Sequence, residues 1–308
     1  MTGISGGPGT ARGPVRAPRR ELSAGLLWCS PWLVGAAGFV LLPMAMSLYY
    51  SFTDYPLLEP PLFCGLDNYR RMMGDPTFWR VVKNTALYAG LSVPLYTVVA
   101  LALAAMLNAR VRFGRLMQAC IFLPTLVPLI ASAMVWLWLF NGEYGLVNRL
   151  LSVVGIRGPT WLEDEHWVMP AMIIMSLWGV GQAVVVYIAA MQDVPAQLYE
   201  AARLDGMGPV RQFLHVTLPM VSPSILFNVI AMTIAAVQVF AVPYVMFRRP
   251  WGTNPAGHFY TMYLYESAFV YGQMGYASAM AWLQLVVVLV LTGVLLLLSR
   301  RLVHYTRL

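Results

Sequence analysis

Six uncharged apolar runs, at about 25–50, 84–107, 117–140, 168–191, 223–247 and 278–299, fix the solvent in which this 308-residue chain folds. None of them contains Asp, Glu, Lys or Arg. A helix rising 1.5 Å per residue needs about 20 apolar residues to cross the hydrocarbon, and every run is long enough. Only 11% of residues are charged, against about 25% in a soluble domain. A soluble chain could not cover so apolar a surface. The pattern predicts an all-α membrane protein with six transmembrane helices, occupying residues 23–308 behind a disordered tail at 1–22 rich in Gly, Pro and Arg. The first run, about 26 residues, exceeds the roughly 7–15 of a signal-peptide core, so it reads as an uncleaved span. Prolines within the runs (Pro31, Pro43, Pro94, Pro124, Pro128, Pro243) predict kinks, since each removes a helical N–H.

Lys and Arg in the connections set orientation. With a cytoplasmic N-terminus the inside segments carry twelve arginines and a net charge of +8, and the outside segments carry eight basic residues and a net charge of −1. The turn at 108–116, with Arg110, Arg112 and Arg115 and no acid, is the cleanest part of that signal. Both termini and the polar stretch 192–222 are therefore expected in the cytoplasm.

That stretch, QDVPAQLYEAARLDGMGPVRQFLHVTLPMVS, is the longest soluble-looking piece between spans on the inside. Asp193 is placed to N-cap a helix with Pro195 in its first turn. Asp205-Gly206 stops the helix, with Gly supplying a positive φ. Gly208-Pro209 starts a second helix, which Pro219 ends. Three readings fit such a hairpin: a DNA-binding helix-turn-helix, a hairpin that only packs beneath the bundle, and a docking element for a cytoplasmic partner. Its net charge of −1 argues against nucleic acid.

The string EAARLDGMGPVRQFLHVTLPMVSP, from Glu200 to Pro223, resembles the EAA loop of permeases in binding-protein-dependent (type I) ABC importers. Glu200, Ala201, Ala202, Asp205, Gly206, Leu218, Pro219 and Pro223 carry the match, with Met207 where the family usually has Ala. Further along the chain, Phe63-Cys64-Gly65-Leu66-Asp67-Asn68-Tyr69, Phe122-Leu123-Pro124, Ala268-Phe269 and Gly275-Tyr276-Ala277-Ser278-Ala279 are similar to segments of the maltose and glycerol-3-phosphate type of carbohydrate permease. The chain departs from that pattern at Ala241, where the family commonly has Asp, and at Arg248-Arg249-Pro250-Trp251-Gly252, which replaces a glycine-rich turn. The resemblance implies a type I permease fold forming half of a sugar or polyol pathway in a bacterial cell membrane. It implies that Glu200, Ala201, Ala202, Asp205, Gly206, Leu218 and Pro219 couple the chain to an ATPase dimer. A second permease and an extracytoplasmic solute-binding protein complete the implied assembly. No cofactor is then bound by this chain, and ATP and Mg belong to the ATPase.

The residues agree with a motor elsewhere. Lys83 is the single lysine, and no G-x-x-x-x-G-K-[ST] loop is present to cradle phosphates. The alternative, an ion-coupled secondary transporter, usually relies on intramembrane acids or histidines, which the six runs lack. No nucleophile–base set supports an intramembrane enzyme. Cys29, Cys64 and Cys120 form no CxxC motif. Glu163-Asp164-Glu165-His166 reads as a solvated outer loop, with contact to a solute-binding protein as the alternative, and Arg248-Arg249 as outer-loop residues open to the same contact or to an anionic ligand.

Sugars are held by amides through their hydroxyls and by aromatic faces through their C–H surfaces. The expected pathway residues are Asn228 and Gln238, with Tyr187, Phe240 and Tyr244 nearby. On one continuous helix Asn228 and Gln238 would lie about 80° apart around the axis. Asn84, Gln118, Gln182 and Gln284 are expected to hydrogen-bond between helices, and Trp136, Trp138 and Trp282 to face lipid or anchor at the interface.

Overall fold

The structure is a computed structural model that describes residues 19–109, 113–249 and 252–302. Most of the expected tail at 1–22, the Arg110–Arg112 part of the basic turn and Pro250-Trp251 lie outside the described residues.

Sixteen α-helices run in order through the described chain: α1 (Arg19–Ala36), α2 (Leu42–Ser51), α3 (Asp67–Gly74), α4 (Pro76–Asn108), α5 (Gly114–Phe122), α6 (Leu129–Leu139), α7 (Leu146–Val153), α8 (Glu165–Trp178), α9 (Gly181–Gln192), α10 (Ala196–Leu204), α11 (Pro209–Gln212), α12 (Leu218–Met220), α13 (Ser222–Val237), α14 (Ala241–Phe247), α15 (Tyr260–Tyr265) and α16 (Met274–Leu302). Two antiparallel pairs of two-residue strands, Thr53–Asp54 with Leu62–Phe63 and Arg248–Arg249 with Gly252–Thr253, pin loops rather than build a sheet.

Three of the expected spans are continuous helices, at Leu27–Ser51, Pro76–Asn108 and Met274–Arg300. The third and fourth are bent pairs, Gly114–Leu126 with Leu129–Leu139 at 100° and Glu165–Trp178 with Gly181–Gln192 at 49°; the helix of the fifth, Ser222–Val237, meets Pro209–Met220 of the 192–222 hairpin at 69°. The uncharged runs mark apolar length, whereas helix ends follow local capping. The helix behind the second span thus starts at Pro76, where Asp75 accepts from the Thr77 N–H at 2.8 Å. The first starts at Arg19, inside the expected tail. Not every proline kinks: Pro94 sits within the unbroken 33-residue α4. Pro124 opens a 3-10 turn at Leu123–Leu126, and Val127-Pro128 make the sharpest break.

Two other prolines are accommodated by widening. A π-turn at Ala37–Leu41 precedes Pro43, and one at Phe213–Thr217 precedes Pro219. A proline ring clashes with the carbonyl four residues earlier, and an expanded turn moves that carbonyl aside.

The core is organised on α4, which packs along α8, α9 and α13. Ala100, Ala104, Val184, Tyr187, Ile188 and Met191 form the buried layer between α4 and α9. A second cluster, including Tyr88, Phe140, Trp161, Met172, Met246, Phe247 and Phe259, fills the end away from the 192–222 hairpin. Trp136 belongs here, packed on Phe140 and Trp178. It is a core residue rather than a lipid anchor, while Trp138 is 60% exposed.

The motifs after the first span and before the last are closures. Gly65 takes φ +64. Asn68 Nδ2 donates to the carbonyls of Ser51 and Thr53 at 3.1 and 2.8 Å. At Gly275 a Cβ would stand 2.0 Å from the Thr53 carbonyl oxygen, so α16 can approach the end of the first span only with glycine there.

Candidate functional site

Two places in the fold carry the sequence expectations: the 192–222 hairpin and the break after α13.

In the hairpin, α10 is flanked by Pro195 at its N-cap position and Asp205 at its C-cap. Asp193 is not the N-cap. It closes the preceding α9, with its N–H on Ala189, because the chain has not yet left that helix. Gly206 has φ +73, and the N–H groups of Gly206 and Met207 bond the carbonyls of Arg203 and Ala202 at 3.0 and 2.9 Å. This is the glycine-dependent helix stop the sequence predicts. Gly208 then precedes Pro209, and the second helix runs through α11, the π-turn and α12. Pro219 lies in its last turn, and the chain bends at Val221 straight into α13.

Ala202 is buried at 4% exposure, while Glu200, Ala201 and Asp205 face outward. Leu218 and Pro219 are half-buried. Large apolar side chains of the hairpin are exposed as well, Leu204 at 91% and Val210 at 70%, with Leu198 and Leu214 less so. The base packs into the α4–α9 core through Val194, Tyr199, Val216 and Val221. A polar hairpin that projects four large apolar residues while its root is anchored in the core has the form of a docking element.

The second place is the end of α13. The helix stops at Val237, so the expected run to 247 is interrupted at Gln238–Phe240 before α14 begins. A broken helix inside a bilayer leaves carbonyls that must find partners. Gln284 of α16 supplies one: its Nε2 donates to the Val237 carbonyl and to Thr261 Oγ1, both at 3.0 Å.

Gln238 is exposed just beyond this stop. Next to it Phe240 stacks with Tyr244 and with Tyr265, each at 5.1 Å between centroids, and Tyr265 with Phe269 at 5.0 Å. The structure therefore joins Phe240 and Tyr244, with Gln238 two residues earlier at the break, and adds Tyr265 and Phe269. Those two sit 21 or more residues further on in sequence, where only the approach of α15 to α14 reveals them. Asn228 is not among them. About 15 Å of helical rise separates it from Gln238, its Nδ2 donates to the Ser224 carbonyl at 3.0 Å, and the 80° relation fails because Gln238 is off the helix. Tyr187 also lies elsewhere, fully buried between α4 and α9.

Beyond the aromatic group a polar network fixes α15. Asn84 Nδ2 donates to the carbonyls of Pro255 and His258, and Thr85 Oγ1 accepts the Tyr260 N–H. His258 Nε2 and Glu266 Oε2 are 2.9 Å apart and both nearly buried. The hydroxyls of Tyr263 and Tyr276 donate to Asp75 Oδ2. Partial burial pushes the Asp75 carboxyl up. The hydrogen bonds from Tyr263, the Thr77 N–H and Tyr276 together outweigh it and hold the group below its ordinary 3.8. Burial, and then the same carboxylate, push the Tyr263 phenol up to about 12.

In the acidic run, Asp164 N-caps α8 on the His166 N–H at 2.9 Å, and His166 Nδ1 is 3.0 Å from the same oxygen. Among the described residues no group of three or more His, Cys, Asp or Glu is placed to hold a metal ion.

Residues 96–304 match the family described as binding-protein-dependent transport system inner membrane component. The probable ABC transporter permease protein YesP of Bacillus subtilis is 34% identical over 98% of each chain. The sulfoquinovosyl glycerol transport system permease SmoG of Agrobacterium fabrum is 31% identical over 88% of each. The trehalose/maltose transport system permease MalF of Thermococcus litoralis is 32% identical over 91% of this chain and 95% of its own. A chain of a bacterial ABC transporter involved in alginate import has the same fold, with TM-score 0.80 at 23% identity over 93% of this chain and 97% of that one. The chain therefore belongs to the binding-protein-dependent transport system inner membrane component family: it is a multi-pass permease subunit of an ABC importer, with the all-α type I permease fold and its ATPase on a separate subunit.

Proposed function

We propose that this chain forms half of the pathway by which a sugar or related polyol enters a bacterial cell. Relatives named for sulfoquinovosyl glycerol, lactose and trehalose/maltose transport support the substrate class. The aromatic group at Phe240, Tyr244, Tyr265 and Phe269, with the exposed Gln238 two residues before Phe240 in the chain, has the chemistry to receive a sugar ring. The partners are a second permease, an ATPase dimer that carries ATP and Mg, and an extracytoplasmic binding protein. An alginate importer solved with its substrate-loaded periplasmic protein has this fold. Both termini and residues 192–222 face the cytoplasm, consistent with the excess of arginine on that side.

The observation that carries this reading is the hairpin of 192–222, with Gly206 at φ +73 and apolar residues turned outward. Coupling requires that the ATP-bound ATPase favour one pore state over another, so the dock must be rigidly rooted. Gly206→Asp places a side chain on a left-handed backbone position. The variant is expected in the membrane but without bound ATPase subunit and without uptake of lactose, maltose or trehalose. Normal uptake by it contradicts the assignment.

A further inference from the structure

We propose that the hydrogen bond between Tyr199 and Thr217 is the contact through which the docking helix α10 turns the fifth span, making both positioning residues for energy coupling. The proposal rests on the reading of 192–222 as the ATPase dock.

The geometry is specific. Tyr199 Oη and Thr217 Oγ1 are 2.9 Å apart, across 18 residues of sequence. Tyr199 lies on the inward side of α10, packed against the α4–α9 core, while Leu204 on the same helix is 91% exposed. Thr217 is 6% exposed and is the last residue of the π-turn, where the Leu218 N–H reaches back five residues to the Phe213 carbonyl. Four residues later the chain bends by 69° at Val221 and continues as α13, which ends beside Gln238 and the aromatic group.

A push on α10 has two routes inward: back along the chain into α9, and across to the return helix, which leads directly into α13 and the pathway. At the tip the crossing is the Gly206 turn, where Gln212 Nε2 donates to the Met207 carbonyl at 2.7 Å. That tie is local to the turn and far from the bend. The Tyr199–Thr217 bond reaches across at the root, on the residue where a widened turn and a bend make the return helix easiest to deform. π-turns of this kind concentrate at functional sites. The two hydroxyls are held in a poorly solvated root, where a hydrogen bond is directional and strong. Apolar packing alone would let α10 slide over Val216 and Val221, whereas the bond fixes the sense in which α10 and Thr217 move together.

The test uses the assembled importer, with its second permease, ATPase dimer and binding protein, in proteoliposomes. Cys29, Cys64 and Cys120 are replaced by Ser. A bimane probe on Ala235→Cys, an exposed position of α13, reports the movement of that helix on addition of ATP and vanadate. Tyr199→Phe and Thr217→Val each remove one hydroxyl at constant shape, and Thr217→Ser restores it. Tyr199→Phe and Thr217→Val are expected to retain the ATPase subunit and its hydrolysis rate while the ATP-dependent bimane change falls at least about fivefold, the low end of allosteric coupling. Thr217→Ser is expected to behave as the parent, and the double variant to be no worse than either single one. A bimane response that is unchanged, that falls only in proportion to bound ATPase, or that falls additively in the double variant overturns the proposal. Failure of the parent chain to retain the ATPase subunit overturns instead the docking reading beneath it.

Discussion

Gln284 Nε2 donates to the main-chain carbonyl of Val237 at 3.0 Å, so the last span closes the broken end of the fifth. The same amide nitrogen reaches Thr261 Oγ1, which brings α15 and its Tyr265 against the break. One side chain thus both satisfies a carbonyl freed within the membrane and places the aromatic group. Gln284→Leu leaves the buried carbonyl without that donor and is expected to cost about 1–3 kcal/mol. Thermal unfolding in detergent checks this, and an unchanged midpoint contradicts it.

The aromatic group should act on the sugar and not on the motor. Removing Tyr265 as Tyr265→Ala takes away one stacking face, worth about 0.5–1.5 kcal/mol, or roughly 2–13-fold in half-saturating sugar. Uptake kinetics measure the shift, and retention of the ATPase subunit by the same variant separates it from misfolding.

The bend between α8 and α9 has its own support. Tyr96 of α4 donates its hydroxyl to the Gly179 carbonyl at 3.2 Å, and a Cβ on Gly181 would come 2.4 Å from the Ile121 carbonyl oxygen. Gly181→Ala must push α5 and α9 apart and is expected to destabilise the chain by about 1–3 kcal/mol. Tyr96→Phe is milder, at about 1 kcal/mol. Paired thermal melts test the order of the two.

Much of this was legible before any fold was described, and for physical reasons. Membrane class, the Gly206 stop and the Pro209 restart follow from local rules: hydrocarbon thickness, a left-handed glycine and a proline at a helix start. The break at Val127 follows from Pro124 and Pro128, but those at Gly179 and Val237 were not legible, because partners far away in sequence, Tyr96 and Gln284, decide whether a freed carbonyl is tolerated. Asp193 was misread as a cap since a good capping residue also closes the helix before it. Tyr265 and Phe269 carried no local signal, and their role appears only once α15 lies against α14.

Asp75 predicts a pH dependence. Its carboxyl is held below the ordinary value in the folded protein, so it contributes stability above its unfolded pKa, and that contribution is lost as pH falls through the folded one. Thermal stability is expected to be flat in this respect near neutrality and to decline below about pH 4. In Asp75→Asn the neutral-pH midpoint is lower and the acid-side decline is smaller. A decline of equal size in both proteins contradicts the assignment.

The most direct test of the account is whether the outward face of the hairpin holds the ATPase. Leu204 is 91% exposed, so replacing it takes little from the folded core. The measurement is co-purification of the ATPase subunit with Leu204→Glu, expressed with its partners and checked for an unchanged melting midpoint. The account predicts a stable membrane protein stripped of its ATPase. A variant that keeps wild-type amounts of ATPase subunit and wild-type uptake contradicts it.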